Sequence, residues 1–81
     1  MDVLYFAWVR ERIGIPKETV ETSAATVNEL VAELRQREER YKVAFSDLSS
    51  LRVAVDQTLT DFDAPLSGAR EVAFFPPMTG G

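Results

Sequence analysis

The chain has 81 residues, a formal net charge of −4, a pI near 4.7 and 46% hydrophobic residues. This means one domain with a modest core, and the acidic balance argues against nucleic acid and anionic membrane surfaces, which select a basic face. Cysteine and histidine are both missing, which excludes disulfides, a thiol nucleophile, the usual metal sites and the Ser–His or Cys–His nucleophile arrangements.

Apolar runs are all too short for a transmembrane helix, and Met1-Asp2-Val3 lacks the basic start of a signal peptide. A cytoplasmic location fits both. Carboxylates are plentiful, but no pair has a spacing that suggests acid–base work. The expectation is a domain with no active site of its own, whose chemistry involves its own end.

Residues 3–9 are rich in β-formers and read as a buried central strand. Leu4, Phe6 and Trp8 share one face; Val3, Tyr5, Ala7 and Val9 share the other. Arg10 to Gly14 turns the chain, and Arg10 and Arg12 there are either solvated or available to an anion or a partner's carboxylate. Residues 18–22 alternate and predict a second strand, in a hairpin with the first.

At Thr26 the period changes. Thr26 with Glu29 has the capping-box pattern, and Val27, Leu30, Val31 and Leu34 form one helical stripe. The spacing predicts a helix over 27–40, with a solvated charged face and an ion pair from Glu33 to Arg37. Residues 41–50 read as a loop packed by Phe45 and Leu48. Residues 51–56 alternate cleanly as a third strand, followed by a short strand near Leu59 or Phe62 and a turn at Pro65-Leu66-Ser67-Gly68. Residues 71–75 form the last strand, with Val72 and Phe74 on one face and Ala73 and Phe75 on the other.

Pro76 and Pro77 remove two backbone donors, so this strand cannot run past Phe75. A domain over 1–75 and an extended tail over 76–81 are expected. The tail, Pro76-Pro77-Met78-Thr79-Gly80-Gly81, suits a narrow pocket in another protein; ordinary terminal fraying is the plain alternative.

A strand hairpin, a helix crossover and further strands give a mixed sheet covered on one face by one main helix. The apolar first and last strands belong side by side in the middle. This is the α+β, β-grasp arrangement of ubiquitin-like proteins. Leu4 and Phe74 are expected to face the helix. Phe75 then lies on the opposite face with Ala73 and residues of the first strand. Phe6, Phe75 and Leu59, with Arg10 as a charged rim, are the candidate partner surface.

With that order in view, the sequence resembles the small subunits of molybdopterin synthase, the MoaD-type sulfur carriers. The resemblance covers essentially the whole chain. It rests on Val3-Leu4-Tyr5-Phe6-Ala7, Arg10-Glu11 and Gly14, on Val55-Asp56-Gln57 and Pro65-Leu66, and above all on residues 71–81. Asp56 stands where members often carry Asn, and Ser67-Gly68-Ala69-Arg70 where they often carry an acidic Asp-Gly-Asp turn.

The resemblance implies that an E1-like (MoeB-type) adenylyltransferase activates Gly81 with ATP. A sulfur donor protein then supplies sulfur for a C-terminal thiocarboxylate. A MoaE-type large subunit takes in the tail, and the sulfur passes to cyclic pyranopterin monophosphate. No cofactor bound to this chain and no metal are implied; ATP belongs to the activating partner. A ubiquitin-like protein modifier, a thiamine-pathway sulfur carrier and a plain interaction module are the other readings. The Phe-Phe-Pro-Pro exit from the last strand favours the molybdopterin carrier over these.

Overall fold

Strand β5 (Glu71–Phe75) lies at the centre of the sheet in the computed structural model, which describes residues 1–77. It pairs in parallel with β1 (Asp2–Tyr5) and antiparallel with β3 (Arg52–Val55). On the outside, β2 (Lys17–Thr19) pairs with β1, and β4 (Thr58–Thr60) with β3. The order β2-β1-β5-β3-β4 puts the first and last strands side by side, as the apolar pattern requires. Helix α2 (Val27–Arg37) buries Val27, Leu30, Val31 and Leu34 in one cluster with Val3, Tyr5, Val53, Val72 and Phe74. One helix stripe on one face of a mixed sheet is the β-grasp fold. No helix among the described residues is long and apolar enough to cross a membrane.

Phe74 is fully buried and gathers aromatic neighbours. Phe45 meets it edge-on with centroids 5.0 Å apart, while Tyr5 and Phe62 stack at 6.3 and 6.4 Å. Leu4 does not face the helix: Val3 and Tyr5 do, and Leu4 is half-buried on the other face. The alternation along the strand is as expected, but its inner face is the opposite one, because the parallel register sets Val3 beside Val72 and Tyr5 beside Phe74.

The strand expected over 3–9 stops at Tyr5, and helix α1 (Ala7–Ile13) replaces its second half and the turn. The reason lies in Val9 and Ile13, both buried. A strand burying both would bury Glu11 between them. A helix brings residues four apart to one face and leaves Arg10, Glu11 and Arg12 in water. Gly14 closes α1 at φ 95, where a side chain would be strained, and donates its N–H to the Arg10 carbonyl at 2.7 Å.

The second strand is shorter than expected, ending at Thr19. Helix α2 starts where its cap pattern predicts. The Thr26 hydroxyl accepts the Glu29 N–H at 3.3 Å, and Glu29 reaches back to the Ala25 N–H. The helix ends earlier, at Arg37, because Glu38 is extended; α3 (Glu39–Ala44) then runs through what was expected to be loop. This break turns Tyr41 and Ala44 into the core, with Phe45 just beyond. A single 3₁₀ turn (Leu48–Ser50) follows, with Leu48 packed on the core. The expected Glu33–Arg37 pair does not form. Glu33 accepts the Thr22 hydroxyl at 2.6 Å, and Arg37 faces Glu18 at 3.8 Å.

Asp56 and Gln57 join β3 to β4 with φ of 49° and 70°. A two-residue hairpin selects left-handed backbone because it matches the twist of the strands. The Asp56 carboxylate accepts the N–H groups of Arg70 and Glu71 at 2.9 and 3.0 Å, tying this turn to the start of β5.

Candidate functional site

The sheet's second face follows from the register. Leu4 pairs with Ala73, Ala73 with Ala54, and Ala54 with Leu59, so one apolar row crosses four strands. Phe75 lies further along, opposite Arg52 on β3. Phe6 extends the β1 edge: it is still extended, and its N–H donates to the Phe74 carbonyl at 3.1 Å. No helix among the described residues covers this face in the way α2 covers the other. Phe6 is 44% exposed and Leu59 66%.

Phe6, Ala7, Ala73, Phe75 and Pro76 line a shallow groove of about 400 Å³ whose walls are almost wholly apolar. It opens where β5 ends and the prolines begin. Half-buried Phe75 and exposed Phe6 supply its aromatic lining, and Ala7 and Ala73 add only methyl groups. A groove of this kind takes an apolar side chain of a partner by removing its surface from water.

The structure therefore brings together Phe6, Phe75 and Pro76 of the residues singled out in the sequence. Leu59 stands on the same face beyond the groove, where it lines a separate hollow with Leu51, Arg52 and Phe62. Arg10 is exposed on α1, with its N–H near the Phe6 carbonyl at 3.4 Å, and does not line the groove. Pro77 is half-buried just outside it. Met78, Thr79, Gly80 and Gly81 lie outside the described residues. Ala7 and Leu4 were not singled out for this surface. The expected alternation sets Ala7 in mid-strand on the face away from the helix and Leu4 on the helix side.

Another hollow, of about 500 Å³, lies by α1 and α3. In it the Arg12 guanidinium covers the Trp8 ring at 4.7 Å, and Asp47 is held by Ser49 and Ser50. These bonds keep the Asp47 carboxyl below its ordinary range. Asp47 is thus engaged as the cap of the 3₁₀ turn, not free as a base. Among the described residues no three carboxylates gather as a metal site.

Comparison with known proteins follows the same lines. The family model of the ThiS family matches residues 3–81. The molybdopterin synthase sulfur carrier subunit of Escherichia coli is 44% identical over 79 residues, covering 98% of this chain and 96% of that protein. The subunit of the same name from Haemophilus influenzae is 36% identical, covering 100% of this chain and 99% of that one. The crystal structure of SAMP1 from Haloferax volcanii superposes with a TM-score of 0.78 at 22% identity, covering 100% of this chain and 98% of that one.

Proposed function

The chain belongs to the ThiS family, and on that premise we propose that it is the sulfur carrier subunit of a molybdopterin synthase. The observation that carries this reading is the end-to-end likeness to two sulfur carrier subunits of that name. The groove at the end of β5 is in keeping with it, since a partner seated there also receives residues 76–81.

The chemistry starts at the carboxyl group of Gly81. With a pKa of about 3.5 it is an unreactive anion at neutral pH. An E1-like adenylyltransferase joins it to the α-phosphate of ATP, releasing pyrophosphate. Hydrosulfide released by a donor protein attacks the glycine acyl carbon and AMP leaves, so the carboxylate becomes a thiocarboxylate with no change of oxidation state. Glycine presents the least hindered acyl carbon of any residue. In the large subunit the thiocarboxylate sulfur attacks a carbon of the cyclic pyranopterin precursor and displaces an oxygen leaving group from it, giving a thioester; water then cleaves the acyl–sulfur bond, which leaves the sulfur on the pterin and returns Gly81 to its carboxylate. The ATP site and the acid–base groups come from the partners, because this chain has neither histidine nor cysteine. A cytoplasmic location, where ATP is at hand, is in keeping with this sequence of reactions.

The test is reconstitution with the large subunit, the adenylyltransferase, ATP, a sulfur donor and the pterin precursor. Deleting Gly81 is expected to abolish sulfur transfer with an unchanged melting temperature, since strand pairing ends at Phe75. Full transfer by the deletion variant overturns the proposal.

A further inference from the structure

Among the described residues three that are not glycine have positive φ: Ala7 at 53°, Asp56 at 49° and Gln57 at 70°. The last two are accounted for by the hairpin they form. Ala7 has no such turn around it. It sits at the junction of β1 and α1, and left-handed backbone at alanine crowds Cβ against the chain. Such strain persists only where the surroundings enforce it, and it clusters at functional sites.

What the conformation achieves is local. Phe6 is held as strand, bonded to Phe74 through its N–H, while its carbonyl already accepts the Val9 N–H at 3.1 Å as the first helical bond. The whole change from strand to helix thus falls on Ala7. Phe6 stays out on the second face of the sheet, and the Ala7 side chain lines the groove with Phe75 and Pro76.

We propose that Ala7 is a positioning and specificity-determining residue of the groove: its left-handed backbone holds Phe6 in the lining, and its methyl group sets the space left for an apolar side chain of the large subunit. The inference rests on the reading of this surface as the large subunit's seat.

The experiment is calorimetric titration of the full-length chain with the large subunit, with a melting curve for each variant. Ala7→Gly relieves the backbone strain, so its melting temperature is expected to hold or rise. It also loosens Phe6 and removes the methyl, so affinity is expected to fall about fivefold, the size of effect that ordering one side chain carries. A role confined to folding would move both readouts together. Phe75→Ser serves as the control and is expected to weaken binding about tenfold, as loss of an aromatic anchor does. If Phe75→Ser weakens binding and Ala7→Gly does not, the inference about Ala7 is overturned while the docking surface stands. If Phe75→Ser binds like the unaltered chain, the docking surface falls and the inference with it. A clear drop in the melting temperature of Ala7→Gly contradicts the strain and overturns the inference as well.

Discussion

Glu18 ties several elements of the fold together. Both the Tyr5 and the Tyr41 hydroxyl donate to its Oε2 at 2.7 Å, and Arg37 stands 3.8 Å from its Oε1. Four elements, β1, β2, α2 and α3, meet at one carboxylate. Burial, then the bond to Glu18, pushes the Tyr5 phenol well above its ordinary pKa, and Tyr41 is raised for the same reasons in the same order. A phenol whose pKa is raised by folding contributes stability that is intact below the unfolded value of about 10 and is lost as pH climbs through the folded one. The melting temperature is therefore expected to hold from neutral pH to pH about 10 and to fall beyond it. Tyr5→Phe should cost about 1.5 kcal/mol at neutral pH, the worth of a hydrogen bond to a charged group, and should flatten that alkaline fall. Melting curves of both proteins across this range check it; an equally steep fall in the variant contradicts the role given to Tyr5.

At the scale of elements, β5 decides the architecture. Its burial on one face and its two partners make Phe74 the most consequential aromatic position. Phe74→Ala is expected to cost about 3–5 kcal/mol, a large part of a small domain's stability. Denaturant unfolding measures it, and a loss below about 1 kcal/mol contradicts the packing described. This strand was legible in the sequence because alternation and prolines mark both its faces and its end. Helix α2 was legible at its start, where Thr26 and Glu29 form a cap, and not at its end, where Glu38 breaks the helix without a glycine or proline to signal it. The β1–α1 boundary was hidden for a related reason. Ala7-Trp8-Val9 has the propensity of a strand, and tertiary burial of Val9 and Ile13 overrides it. On the candidate surface, Phe75 was legible because alternation sets it opposite Phe74, whereas the expected alternation sets Phe6 with Leu4 on the helix side and the inverted register of β1 brings both to the second face. Ala7 was not, because nothing in an alanine signals left-handed backbone.

The molecule as a whole is a sheet with two unlike faces. One is closed by α2 and the core. The other carries Leu4, Ala73, Ala54 and Leu59 in a row and ends at the groove of Phe6 and Phe75, where the chain leaves the sheet for Pro76. This layout divides the work in the proposed reading: the domain is gripped by its second face, and the reactive group is carried at the end of residues 76–81. The central claim is that Gly81 is the atom-carrying end of a sulfur carrier. The most direct test is the intact mass of the protein after incubation with the adenylyltransferase, ATP and a sulfur donor, followed by addition of the large subunit and pterin precursor. The expected result is a mass gain equal to one oxygen-to-sulfur exchange, confined to the C-terminal peptide and lost again when the precursor is added. An unchanged mass, or attachment of the chain to lysines of larger proteins in its place, contradicts it.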